Sequence, residues 1–405
     1  MKLLLGTAKG LIVFEKKASD WHITDVHFTG FPVSMVYVDE RSQTWWAGVP
    51  HRHWGQKLHR STDAGKTWQA VATPRYPTDM PLKNGKPATL KLIWCMTSAG
   101  ADKPNELWLG TEPGGLFHSK NNGDSWQLVT SLWQQRVASD LWFGAGKDAP
   151  FIHSIVVNPR DSNHLYIAIS CAGVYESMDY GATWQPRNVG LKATYLPNPD
   201  AEIGHDPHLL LASEKAPSVF LVKNVGEVSN LADVEATEPD RNFSRYYISK
   251  RRLADVEATE PDPAIVLWQQ NHCGIFRSTN GGKNWMNVTD KNGIANYGFA
   301  LAVDPKNPNR AWVIPALSDE MRVPHDLALC VCRTDDGGQT WQQLREGLPQ
   351  NYCFDIVFRH AFDYKNGILT FGTTTGNVFL SENEGDSWRC LSNNLPRIDV
   401  VKFVN

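Results

Sequence analysis

Eight residues, Ser61-Thr-Asp-Ala-Gly-Lys-Thr-Trp68, constrain this chain more than any other stretch, because the same signature returns five more times. The copies run over 119–126, 177–184, 278–285, 334–341 and 381–388. The third position holds Asp63, Asn121, Asp179, Asn280, Asp336 and Asn383, and the fifth is always glycine. An Asp or Asn side chain closes a tight turn by accepting backbone N–H groups, expected here two residues on. The glycine supplies a positive φ that a Cβ opposes. The Trp then opens a returning strand and buries its ring, so each copy reads as a β-hairpin with a fixed turn and anchor. Trp-to-Trp intervals are 58, 58, 101, 56 and 47 residues, an ordinary unit with one insertion. A supersecondary unit recurring at roughly 40–50 residues predicts a solenoid or propeller.

The clearest unit is 153–184. Runs at 153–157, 165–169 and 173–177, then the signature and Trp184, give four strands, A to D, with the signature joining C to D. On that template the chain divides into seven blades, at about 31–80, 88–132, 151–190, 206–290, 296–348 and 351–393 for blades 2 to 7. Blade 1 takes 1–28, lacks the signature, and is completed by 398–405. The expected architecture is all-β: one seven-bladed propeller over 1–405, with four-stranded antiparallel blades. Its last strand closes blade 1 and removes two sheet edges. Residues 131–150 read as a long connection carrying Trp133 and Trp142. Residues 216–263 read as an insertion in blade 5, in which the decapeptide 231–240 recurs unchanged at 253–262. Its acidic, Pro-containing composition predicts a poorly ordered excursion.

The signature resembles the Asp-box, or BNR repeat, of sialidases, some xyloglucanases, sortilin-type receptors and a photosystem II assembly factor. All of these are β-propellers. The overall pattern is similar to single-propeller bacterial proteins called sialidase-like or glycosyl-hydrolase-like. The resemblance implies a fold over nearly the whole chain, and its members mix hydrolases, receptors and assembly factors.

A net charge of −3 gives no electrostatic case for nucleic acid or an anionic membrane. No apolar run reaches 18 residues, and the one at Leu3–Leu5 is too short for a secretory leader. Seven dispersed cysteines, with only Cys330-x-Cys332 close, suggest reduced thiols, no zinc-type spacing and a cytoplasmic location.

Propeller ligands sit usually on the face reached by the D–A and B–C connections, with Asp-boxes on the opposite rim. The box Asp residues are therefore structural. Strand-A starts place Trp94, His153, His208, Tyr297 and Tyr352 on the ligand face. B–C corners add Thr7, Glu112, Ser170, Asn271 and His272, and longer loops add His51, His53, Trp54, Glu320 and Arg322. Asp206 and His205 precede His208, so six of thirteen histidines converge on one rim. Taken singly, each has a bland explanation: a strand-start histidine bonded to a carbonyl, a channel-plugging aromatic, an Asn tying its own loop. Together, unpaired polar groups facing a channel cost several kcal/mol unless water or a ligand meets them.

Three mechanisms follow. Glu112 with Asp206 or Glu320 forms an acid/base pair for a glycoside or related small molecule, with Arg322 beside it and His51, His53, Trp54, Trp94, Asn271 and Tyr297 as ligand contacts. Alternatively His153, His208 and His272, with a carboxylate, hold Zn, Mn or Fe. Alternatively the face is a non-catalytic scaffold for a protein partner. Resemblance to sialidases implies three substrate-binding arginines, the first in a Phe/Tyr-Arg-Ile-Pro motif. The early stretch here is Phe31-Pro-Val-Ser-Met35, without arginine, so sialidase activity is not expected. Xyloglucanases of the family pair two propellers around a cleft, and this chain has one.

Overall fold

In the computed structural model, residues 1–51, 53–82, 84–138, 142–144, 149–214 and 265–405 are described. Seven antiparallel sheets of four strands form the propeller. In chain order the innermost strands of blades 2 to 7 are Met35–Asp39, Leu92–Ser98, Ile152–Asn158, Pro207–Glu214, Gly298–Val303 and Phe362–Lys365. These first strands pack against one another around a channel cavity of about 470 Å³. Blade 1 is ordered Ile398–Val404, Lys2–Thr7, Gly10–Lys17, Asp20–His27, so the last strand supplies its inner edge as expected. Inner strands are apolar on both faces because each blade is sandwiched between two others; Leu165, Ile167 and Ile169 pack toward blade 3, Tyr166 and Ala168 toward blade 5.

The signature turns differ from expectation in one bond. In the first box, the Gly65 N–H donates to Ser61 Oγ at 2.9 Å, while Asp63 Oδ1 accepts from Thr67 N–H, four residues on, also at 2.9 Å. The Ser or Thr at the first position takes the glycine N–H because its short side chain lies directly under the turn, leaving the carboxylate to span it. Asn121, Asn280 and Asn383 accept the equivalent N–H at 3.0 Å. The box tryptophans also bind blade to blade. Trp126 Nε1–H donates to Ala72 O at 3.1 Å, Trp285 to Arg187 O at 2.7 Å and Trp341 to Val288 O at 2.8 Å, each on the preceding blade.

Two local readings are corrected. The connection after blade 3 contains a helix, Thr130–Ala138, which buries Leu132 and Trp133; it has no Gly or Pro to break it. Blade 7 begins at Phe362, and Tyr352, ten residues earlier, is 84% exposed with φ 51° and starts no strand. The duplicated insertion lies outside the described residues.

Candidate functional site at the channel mouth

Strand register defines the two faces. In blade 5, Pro207 pairs with Asn271 and Asn271 with Gly274, so the start of strand A and the B–C turn share one face. In blade 4, Leu165 pairs with Ser177, the first box residue, placing the boxes at the opposite end.

At the mouth, four inner strands share with Ile398–Val404, where Asp399 is the extra residue, an irregularity invisible in composition. Register shifts between Ile93 and Cys95, Ile152 and Ser154, Pro207 and Leu209, and Gly298 and Ala300 mark one extra residue at the start of each strand. The bulged residues are Trp94, His153, His208 and Phe299. A bulge re-aims its side chain, and these four build the floor of the mouth. Trp94 stacks on Phe151 at 4.5 Å, and His208 stacks on Phe299 at 4.7 Å. Phe299, two residues beyond the expected Tyr297, is the structural equivalent of the other three.

Above the floor, Pro207–Glu214 and the turn after Ile265–Asn271 bring Asp206, His208 and His272 together. Asp206 Oδ2 lies 3.5 Å from His208 Nε2 and 3.7 Å from His272 Nδ1. Its other oxygen accepts from Ser170 Oγ–H at 2.6 Å and Cys171 N–H at 3.2 Å. The His272 backbone N–H donates to Asp206 O at 2.9 Å, tying the two loops. Burial opposes ionisation of Asp206, but the hydrogen bond and charge of His208, with Ser170, outweigh it and hold the carboxyl below the usual range. Burial pushes His208 down despite that carboxylate. The direction that holds for the pair is an ionised Asp206.

Tyr195 and Tyr297 present ring edges to His272 at 5.3 and 5.7 Å. Tyr297 O–H donates to Asp319 Oδ1 at 3.1 Å, and Arg322 pairs with the same carboxylate. Asp319, rather than the neighbouring Glu320, is the carboxylate of this loop that meets Tyr297 and Arg322, and both acidic residues are exposed.

Arg359 is the residue that sequence reasoning missed. It comes from the segment before the first strand of blade 7. Its guanidinium lies over Trp94, Phe151 and Phe299 at 5.6, 5.4 and 5.4 Å. Its Nε is buried without a hydrogen-bond partner, and no ion pair holds it among the described residues. It also lines the channel cavity beneath, joining that cavity to the Asp206 cluster outside it.

The remaining candidates separate. His153 is not with His208 and His272 as a ligand: Nε2 is 2.7 Å from Pro207 O and Nδ1 2.9 Å from Ser154 Oγ, so both nitrogens are engaged. Asn271 is buried, donates to Gln269 Oε1 at 3.0 Å and accepts the Cys273 N–H at 3.0 Å, holding the turn that presents His272. Glu112 is buried beside Trp94, whose Nε1 is 3.4 Å from Glu112 Oε2. His51 accepts the N–H groups of His53 and Trp54, both at 3.1 Å, and stacks on Phe31, a separate group on the blade 2 loop. All seven cysteines are free.

The fold and this mouth define the class: a seven-bladed β-propeller with a polar, aromatic-floored site at one end of its channel. No protein-family model matches the chain. It is 26% identical over 298 residues to a xyloglucanase of Paenibacillus sp., covering 64% of this chain and 26% of that protein. It is 27% identical over 129 residues to an oligoxyloglucan-reducing end-specific xyloglucanase of Emericella nidulans, 31% of this chain and 14% of that one. The chain thus spans about a quarter or less of these relatives. Among solved structures, the GH74 xyloglucanase of Xanthomonas campestris superposes with TM-score 0.55 at 14% identity, over 96% of this chain and 52% of that one. A putative 6-phosphogluconolactonase of Bacteroides uniformis gives 0.56 at 11% identity, over 100% and 99%. At these identities the structures share the fold alone.

Proposed function

We propose that this propeller is a hydrolase-like enzyme acting on a carbohydrate or related small molecule at the channel mouth. The observation that carries the reading is a buried Asp206 gathered with His208 and His272, together with an Arg359 whose Nε is buried without a partner over an aromatic floor. Such charged groups are retained at a buried site when a ligand meets them. Weak similarity to xyloglucanases supports a sugar as ligand. Asp206 and Glu112 are the carboxylate pair of this proposal, Asp319 replaces Glu320, and Arg322 and Tyr297 line the same side. The free thiols suit a cytoplasmic location, which belongs to the proposal.

A panel of glycosides and sugar esters tests it. Wild type is expected to turn over at least one class, with Asp206→Asn and Arg359→Gln each slower by about 100-fold or more. Full activity in both variants would remove the site. Binding of a glycan without cleavage would leave a carbohydrate-binding propeller and no hydrolase.

A second reading rests on the rim. Trp54, Met321, Tyr352 and Phe354 are 74, 56, 84 and 59% exposed in loops of the mouth face. Exposed apolar side chains around a pocket suit a protein partner as well as a glycan. Binding of a purified partner that survives Asp206→Asn and is lost in Trp54→Ala would favour the scaffold.

A further inference from the structure

We propose that Asp206 Oδ2, His208 Nε2 and His272 Nδ1 form a three-ligand site for a divalent transition-metal ion. The three atoms lie within 4.8 Å of one another. The argument begins at the outer atoms. The Gly298 carbonyl, 2.6 Å from His208 Nδ1, can only accept, so Nδ1 carries a proton and donates. Nε2 is then the free position of the ring, and it faces the Asp206 carboxylate at 3.5 Å. Two lone pairs facing each other repel unless a cation stands between them.

A proton on His208 satisfies that pair alone. It does not account for His272, whose Nδ1 lies 3.7 Å from the same Asp206 oxygen. Both separations exceed hydrogen-bond length. They match the edge of a coordination tetrahedron, about 3.4 Å when metal–ligand bonds are about 2.0–2.1 Å. The third separation, between the two imidazole nitrogens, is within 4.8 Å, so all three donors can reach one ion with a small adjustment of the partly exposed His272.

The surroundings have the form of a metal ligand's outer shell. His208 is oriented by a backbone carbonyl, and Asp206 uses Oδ1 for Ser170 and Cys171, leaving Oδ2 facing the two imidazoles. Among the described residues no lysine or arginine forms an ion pair with Asp206, and Arg359 acts on it only at longer range, so no cation occupies the space beside Oδ2. His272 is 29% exposed, which keeps the fourth direction open to the mouth. Three protein ligands and an open position characterise catalytic rather than structural sites. Two imidazoles and one carboxylate suit zinc or iron(II) over calcium or magnesium.

The inference concerns the site of the proposed hydrolase but does not depend on turnover. The full chain, treated with chelator and without a histidine tag, is titrated with Zn(II), and separately with Mn(II) and anaerobic Fe(II), by calorimetry and elemental analysis. One equivalent is expected to bind wild type and His53→Ala alike. Affinity should fall at least 100-fold in Asp206→Asn, His208→Gln and His272→Ala, and roughly 10–100-fold in Ser170→Ala. Because His272 is partly exposed, His272→Ala keeps the claim testable where the buried variants do not fold. Unchanged stoichiometry and affinity in His272→Ala overturns the site, as does the absence of stoichiometric binding by any of the three ions. Metal binding without hydrolysis leaves the metal site standing without the enzyme reading; hydrolysis by protein that binds none of the three ions leaves the enzyme reading standing without the metal site.

Discussion

His208 Nδ1 donates to the carbonyl oxygen of Gly298 at 2.6 Å, across the boundary between blades 5 and 6. Gly298 is the first residue of its strand, and the register slips immediately after it. The bulged start of one blade's inner strand therefore sets the ring orientation of the preceding blade's bulged histidine.

Gly298→Ala should disturb that arrangement. A Cβ there would lie 2.8 Å from Ile314 O on the paired strand, with backbone rather than a flexible side chain in the way. The strand must shift, at about 1–3 kcal/mol, and the carbonyl moves with it. We expect a lower Tm and weaker Zn(II) binding than in wild type. Unaltered values for both would show that His208 is placed by other contacts.

Buried histidines make stability depend on pH. His360 Nε2–H donates to His153 O at 2.8 Å across the channel, and burial pushes the His360 imidazole down to about 4. In the unfolded chain the value is about 6.5. Between these values the unfolded state holds the proton and the folded state does not, so stability is full above pH 6.5 and declines toward pH 4. His59, His153 and His205 shift in the same direction, also through burial. His360 alone accounts for at most about 3 kcal/mol. Thermal melts from pH 7.5 to 4 should show the decline, and His360→Gln should flatten it; an identical slope in the variant assigns the loss elsewhere.

The Asp-boxes titrate in a lower window. Thr67 hydrogen bonds hold the Asp63 carboxyl down to about 2, and Asp336 also lies at about 2, its bonds to Thr340 and Thr334 outweighing desolvation. A depressed carboxyl contributes stability that is present above about pH 4 and lost as pH falls through 2. The chain itself shows what removes this dependence, because Asn121 makes the same turn with a neutral amide. Asp63→Asn with Asp336→Asn should therefore leave neutral-pH stability nearly unchanged and reduce acid sensitivity between pH 4 and 2. A large loss at pH 7 would mean that the charge, and not the acceptor geometry, holds the turns.

The blades were legible because the box carries its own turn chemistry and recurs. Asp206, His208 and His272 were legible as mouth residues because strand starts and B–C turns coincide by register. The same logic included His153, whose two nitrogens face Pro207 and Ser154; hydrogen-bond partners have no sequence pattern. Arg359 was missed because it sits in the turn just before Phe362, outside any strand, where no periodicity marks it. Asp319 was passed over for Glu320, since adjacent loop carboxylates differ only in which one the backbone turns toward Tyr297. The bulges that aim Trp94, His153, His208 and Phe299 shift register by one residue, below the resolution of a pattern good to about two.

The closing seam supplies the sharpest test of the fold. Ile398–Val404 pairs antiparallel with Lys2–Thr7, and Phe403 is buried against Trp21 with ring centroids 6.2 Å apart. The Phe403 N–H also donates to Asp363 Oδ2 of blade 7 at 2.8 Å, so this strand joins the first blade to the last. There is no slack: a Cβ at Gly6 would meet Val400 Cγ1 at 2.4 Å and Val33 O at 2.8 Å. Deleting 398–405 strips the inner edge from the apolar strand Lys2–Thr7 and opens the ring, which predicts aggregation rather than a smaller soluble propeller. Phe403→Ala keeps the strand and should cost about 3–5 kcal/mol in denaturant unfolding. Light scattering with far-UV circular dichroism separates the two effects. A soluble truncation with a cooperative melt near that of wild type would show that six blades and a three-stranded remnant suffice, and that the seam does not close the fold.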